Sequence, residues 1–180
     1  VQIGVISMEI SEARVVISGG ASGLGEATAR YFASQGAKVT LLDRDVERGP
    51  SVAAQINGYF VHTDVTDDKS VTDAVASAVT QMGGINVAVN CAGIALGIKT
   101  VGRDGPHPLD AFQRTIDINL VGSFNLSRVA AAAMALNEPG RDNARGVIIN
   151  TASVAAFDGQ KGQAAYAASK GGIVGMTLPM

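Results

Sequence analysis

The sequence predicts an α/β fold, with one parallel sheet covered by helices on both faces. Three observations predict it: five short apolar runs, longer amphipathic stretches between them, and a glycine-rich loop after the first run. Wholly apolar strands that alternate with helices belong to a parallel sheet buried on both sides. Right-handed crossovers make such a sheet open and doubly wound.

The first strand is Arg14 to Ser18, and a helix follows over about Leu24 to Gln35. Ala37 to Leu42 is the second strand, closed by Asp43, and Asp45 to Ile56 reads as helix. Tyr59 to His62 is the third strand. The helix Asp67 to Met82 has Thr66 or Asp67 as its N-cap and Gly83-Gly84 as its stop. Ile85 to Asn90 is the fourth strand, followed by a loop with Gly102, Gly105, Pro106 and Pro108. A long helix runs from Leu109 to Leu136, a polar turn leads to the fifth strand, Val147 to Thr151, and the last helix starts near Gln163. Tyr31, Phe32, Phe112 and Phe124 read as core, and His62 and His107 as structural.

A length of 180 residues suits one domain with a real core. Hydrophobic residues are 47% and charged residues 17%, which excludes a disordered chain. The net charge of −2, without a long basic run, gives no reason to expect nucleic-acid or membrane partners. No run reaches the roughly 18 apolar residues of a membrane span. Cys91 is the single cysteine, so no intrachain disulfide can form. That fits a reducing compartment, the cytoplasm or, in a eukaryote, the mitochondrial matrix. Two histidines and one cysteine far apart give no zinc-ligand spacing, so no metal is expected. The apolar stretch Val1 to Ile10 lacks the basic flank and cleavage site of a signal peptide. Residues 1 to 13 are expected to be an extension, with Met8 as the natural start and the dinucleotide-binding domain running from 14 to 180.

Between the first strand and its helix, Gly19, Gly23 and Gly25 have the spacing G-x-x-x-G-x-G. Glycines there allow a tight turn, a close backbone approach to phosphate and close helix–strand packing. The helix N-terminus offers free N–H groups and partial positive charge to a pyrophosphate. Asp43 closes the second strand, 18 residues after Gly25. A carboxylate there can accept from the adenosine ribose hydroxyls and repel a 2′-phosphate, which selects NAD over NADP. It can equally cap a helix or pair with Arg44.

Tyr166 and Lys170 are four apart on the last predicted helix and share a face. At about 4 Å, two charges interact by roughly 4 kcal/mol at an effective dielectric near 20. That is enough to draw a tyrosine pKa from about 10 towards neutrality. Ser153 lies just past the fifth strand, where open α/β sheets bind ligands.

Taken in order, SGGASGLG, Asp43, Asp64-Val65, NCAG (Asn90 to Gly93), Asn119, Ser153 and YAASK (Tyr166 to Lys170) resemble the short-chain dehydrogenase/reductase family. The resemblance spans Arg14 to Met180. VAVNCAGIA, NEPG and GVIINTASVAAFDGQKGQAAYAASKGGIVGMTLP are similar to its type 2 3-hydroxyacyl-CoA dehydrogenase branch.

The resemblance implies a Rossmann-like sheet and an NAD-dependent oxidoreductase of fatty acid metabolism. Its substrate would be a secondary alcohol, most simply the 3-hydroxyl of an acyl-CoA. The rivals are a hydroxysteroid or other alcohol dehydrogenase, an acyl-carrier-protein reductase and a non-catalytic NAD-binding scaffold. Tyr166 would be the acid/base, with Lys170 lowering its pKa and holding the nicotinamide ribose. Ser153 would orient the substrate oxygen, and Asn119 would help to hold a relay water. Ser22 and Leu24 would line the phosphate and nicotinamide path, Asp64 and Val65 would flank the adenine, and Asn90, Cys91, Ala92 and Gly93 would line the cofactor. Cys91 would contribute its backbone rather than its thiol. The long helix and the last helix would form a dimer or tetramer interface. In the family two more strands follow the position of Met180, so these 180 residues alone are expected to lack activity.

Overall fold

The computed structural model describes residues 9–140 and 143–180, so the segment Val1 to Ser7 and the expected start at Met8 lie outside the described residues. Strand β1 (Arg14–Ser18) leads into α1 (Gly23–Ser34), β2 (Lys38–Asp43) into α2 (Arg48–Gln55), and β3 (Tyr59–His62) into α3 (Asp68–Met82). Then come β4 (Val87–Asn90), the two-residue strands β5 (Val101–Gly102) and β6 (Gly105–Pro106), and α4 (Leu109–Ile116). A π turn over Asp117–Val121 joins α4 to α5 (Gly122–Met134), followed by β7 (Val147–Asn150) and α6 (Ala164–Thr177).

The main sheet has the order β3-β2-β1-β4-β7, and all its pairs are parallel. The order reverses between β1 and β4, and open α/β sheets place ligands at that switch, beyond the strands' carboxyl ends. Alternation of side chains splits the core in two. Val16, Leu42 and Ala88 point to the face covered by α3 and α5, where Val71, Val75, Ala78, Leu126 and Ala130 are fully buried. Val15, Ile17, Val39 and Leu41 point to the other face, against Ala29 of α1 and Val52 of α2. Ala13, assigned to the extension from sequence, is buried, and its carbonyl accepts from Lys38 N.

Several boundaries differ from the sequence reading for identifiable reasons. Helix α2 starts three residues later than predicted, because the Asp45 carboxylate accepts from the N–H groups of Glu47 and Arg48 in a side-chain turn. The loop after β4 contains the β5–β6 hairpin. The expected single helix from Leu109 is interrupted by the π turn, where Gly122 N–H returns to Asp117 O, and it ends at Met134. At α3, Asp67 is the N-cap, accepting from Ser70 N at 2.7 Å, and Gly83 ends the helix at φ 75°.

Tyr31 and Phe124 are corrections to the predicted core. They are 58% and 48% exposed, because each lies on the outer side of its helix. Strand β7 is an edge, and Val147 and Ile149 are exposed because α1 and α2 do not reach over it.

Candidate active site

The glycine loop is shaped by contacts no side chain would allow. Gly19 has φ 67°, and a Cβ on it would sit 2.8 Å from Ala92 N, so the loop lies directly on the segment after β4. A Cβ on Gly25 would fall on the Gly19 carbonyl. Helix α1 makes its first bond from Glu26 N to Ser22 O, which leaves the N–H groups of Gly23, Leu24 and Gly25 without helical partners. All three residues line a cleft of about 440 Å³.

The same cleft is lined by Gly19, Ser22, Asp43, Asp64, Val65, Cys91, Ala92 and Gly93. Asp43 is tied to the loop, with Oδ2 accepting from Ala21 N at 2.9 Å and Oδ1 from Asp45 N at 3.0 Å. It caps no helix, since Glu47 precedes α2, and Arg44 pairs instead with Asp64 at 3.6 Å. A carboxylate has about four acceptor sites, so two remain for a ligand. Burial pushes the Asp64 carboxyl up, but bonds from the Thr66 hydroxyl and N–H, with Arg44 and His62, more than offset it and hold it below the ordinary value.

Asn90 stands apart from this group. It is buried and does not line the cleft; its amide donates to Ser127 Oγ and Asn150 Oδ1, both at 2.9 Å. Its side chain therefore faces the core rather than the cleft that its neighbours Cys91, Ala92 and Gly93 line. Sequence reasoning missed Thr63, Ile94, Arg114 and Ile118 on the cleft wall, because exposed positions on a helix face and single polar residues after strands carry no motif.

The second cluster centres on α6. Lys170 is buried, and its Nζ donates to Thr151 O at 2.6 Å. The ammonium also stands 5.6 Å from the centroid of the half-buried Tyr166 ring. Burial pushes the Lys170 pKa down, partly countered by Cys91. Burial also pushes the Cys91 thiol up, against a bond from the Thr151 hydroxyl and the charge of Lys170. Cys91 lines the cleft, and the Thr151 hydroxyl that donates to its thiol belongs to the residue whose carbonyl holds Lys170.

Asn119 lies in the π turn and is fully buried. Its Oδ1 accepts from Ile94 N at 2.8 Å, and its amide donates to Ile94 O at 2.9 Å and to Ser169 Oγ at 3.1 Å. Ser169 Oγ donates in turn to Tyr166 O at 2.7 Å. Asn119 therefore couples the cleft wall to the helix of Tyr166 and Lys170. Ser153, half-buried just past β7, accepts from Ala155 N at 3.1 Å and caps a short 3₁₀ turn.

The family model described as short chain dehydrogenase matches residues 13–180. The chain belongs to the short-chain dehydrogenase family. It is 54% identical over 169 residues to a 3-hydroxyacyl-CoA dehydrogenase type-2 from Homo sapiens, covering 92% of this chain and 65% of that protein. A protein of the same description from Drosophila melanogaster is 50% identical, with 95% and 69% covered. The crystal structure of 3-hydroxyacyl-CoA dehydrogenase type-2 from Mycobacterium avium superposes with a TM-score of 0.87 at 40% identity, over 93% of this chain and 67% of that one. The chain thus spans somewhat less than two thirds of the human relative's length. Among the described residues, no helix is long and apolar enough to cross a membrane.

Proposed function

We propose that this short-chain dehydrogenase transfers hydride between NAD and a secondary alcohol or ketone, with 3-hydroxyacyl-CoA and 3-ketoacyl-CoA as the pair. The observation that carries the reading is the buried Lys170, held by Thr151 O beside the Tyr166 ring, in a chain whose glycine loop walls a cleft that Cys91, the partner of the Thr151 hydroxyl, also lines. The similarity to 3-hydroxyacyl-CoA dehydrogenases supports the acyl-CoA substrate.

The cleft fits a dinucleotide. The glycine loop leaves no room for a Cβ at Gly19 or Gly25, which lets backbone approach a phosphate closely. The free N–H groups of α1 suit the pyrophosphate. Asp43 has spare acceptor sites for ribose hydroxyls, and Arg44 is engaged by Asp64 rather than offered to a 2′-phosphate, so NAD is favoured over NADP. When bound, the nicotinamide supplies the hydride acceptor.

The chain's own residues then handle the proton and the substrate. In oxidation the deprotonated Tyr166 oxygen takes the proton of the substrate alcohol and becomes the hydroxyl; in reduction that hydroxyl gives its proton to the ketone oxygen. Lys170, still holding three donors of which Thr151 O uses one, stabilises the tyrosinate and offers the others to the nicotinamide ribose. Ser153 Oγ orients the substrate oxygen. Asn119, whose side chain is satisfied by Ile94 and Ser169, holds α6 in register and so supports the relay water expected beside it. Ser22, Leu24, Asp64, Val65, Cys91, Ala92 and Gly93 form the cofactor walls. The working assembly is a homo-oligomer, dimer or tetramer, through α4, α5 and α6, and it acts in the cytoplasm or the mitochondrial matrix on fatty acid derivatives.

The test is to titrate NAD and NADP separately into the full-length gene product and to follow absorbance of reduced cofactor with a 3-hydroxyacyl-CoA. Tighter binding of NAD and substrate-dependent reduction are expected. Tighter NADP binding, or no reduction with any secondary alcohol, overturns the reading.

A further inference from the structure

We propose that His107 is a positioning residue that sets the substrate side of the site, an inference that rests on the oxidoreductase reading above. His107 sits just after β6, and its backbone N–H donates to Thr100 O at 2.9 Å. Its Nδ1 lies 3.2 Å from Ile98 O. A carbonyl only accepts, so Nδ1 carries the proton. In the neutral ring that leaves Nε2 as an acceptor, and it is buried with no partner among the described residues. The ring stands edge-on to Phe112 of α4, with centroids 6.2 Å apart. A side chain that serves only to fill space has no need of two polar nitrogens. This one is fixed so that one nitrogen holds the turn that contains β5 and β6.

What His107 holds is connected to the chemistry. Ile98, whose carbonyl takes the imidazole bond, donates its own N–H to Gly162 O at 2.9 Å. Gly162 has φ 93°, and two residues later α6 begins, with Tyr166 in its first turn. The path is therefore imidazole to Ile98, Ile98 to Gly162, and Gly162 to the helix of Tyr166 and Lys170. Between these two strapped segments lies an open cleft of about 670 Å³. One wall is Lys99, Thr100 and Val101, and the other includes Phe157, Lys161 and Gln163. Ala155, whose N–H is bonded to Ser153, also faces this cleft. Its width depends on the strap that His107 closes, and its link to the reacting groups is through Ala155, whose N–H donates to Ser153 Oγ, and through Ala164 and Ala167 on the helix of Tyr166.

The experiment compares His107→Phe, which keeps a ring against Phe112 but removes the donor, with His107→Asn, whose amide N–H replaces the Nδ1 donor. Loss of one net hydrogen bond predicts a rise in KM for a 3-hydroxyacyl-CoA of about 3- to 10-fold in His107→Phe, with kcat and the NAD Kd within about twofold of wild type. His107→Asn is expected to restore KM to within about twofold of wild type. An unchanged KM in His107→Phe, a KM in His107→Asn no better than in His107→Phe, or an NAD Kd that rises in parallel overturns the proposal. If the wild type oxidises no 3-hydroxyacyl-CoA, the substrate reading falls, and amide exchange at Ile98 then decides the strap. Exchange faster in His107→Phe than in His107→Asn supports it, and equal exchange overturns it.

Discussion

The dinucleotide cleft and the cluster on α6 hold their polar groups in different ways. In the cleft, most contacts run between a backbone N–H and a carboxylate or turn close by: Asp43 to Asp45, Asp64 to Thr66, and the glycine loop folded on itself at Gly19 and Gly25. Around α6, side chains reach across the fold. Asn119 bonds Ile94 and Ser169, Lys170 bonds Thr151 O, and Thr151 reaches Cys91. The first arrangement keeps acceptors and donors to spare for a ligand that brings its own charge. The second consumes the amide of Asn119 to hold one helix in place, and leaves Lys170 buried with donors in reserve. Binding and chemistry should therefore separate under mutation.

The sharpest break is expected at Tyr166. Tyr166→Phe removes the hydroxyl without touching the backbone bond from Ser169 or the cleft walls. Turnover of the full-length gene product should fall by about 10²- to 10⁴-fold, the usual worth of general acid–base catalysis, while NAD binding stays near wild type. Stopped-flow reduction alongside calorimetric NAD titration checks both halves at once. Near-normal turnover means that the proton moves by another route.

A smaller effect is expected on the other side of the comparison. Asp43→Ala removes the bond to Ala21 N as well as any ribose contact. NAD binding should weaken by about 1.5–3 kcal/mol, typical of hydrogen bonds to a charged group, and the gap to NADP should narrow. Saturating NAD should then recover most of the wild-type kcat. If kcat stays low at saturation, the two regions are coupled more tightly than their contacts indicate.

The mildest test is one of pH. The Lys170 pKa is held below its ordinary value of 10.5 by burial. Below the folded pKa, both the native and unfolded chains carry this proton, and the native state bears the cost of burying it. As pH rises from the folded value towards 10.5, the native state loses the proton first, the unfolded state binds more protons, and stability increases. Lys170→Met should remove this slope. Urea denaturation at several pH values just below 10.5, wild type against variant, measures it, and parallel curves would contradict the buried charge.

Much of the architecture was legible in the residues themselves. The strands Arg14 to Ser18 and Tyr59 to His62 have the predicted limits, the glycine loop and Asp43 meet at one cleft in line with their spacing, and Asp64 and Val65, which only the family resemblance put with them, line it too. Asn90 is the instructive exception, since its motif neighbours line the cleft while its own amide is turned into the core towards Ser127 and Asn150. Alternation along β4 decides which residues face inward, and a motif read as a string does not carry that alternation.

What the sequence determined by itself is whatever adjacent residues encode: strand and helix periods, the N-cap at Asp67, the left-handed stop at Gly83, and the four-residue spacing that puts Tyr166 and Lys170 on one helix face. The tertiary structure alone decided which partners satisfy the buried polar groups. The π turn at Asn119 follows no local propensity; there Gly122 packs on Val65, and the Asn119 amide finds Ile94 and Ser169. His107 looked structural in isolation, and it acquires a partner only when the chain folds Ile98 back beneath it. Local conformation depends on sterics within a few residues, whereas a buried donor or acceptor must be paired wherever in the chain its partner lies, and only the packed fold brings the two together.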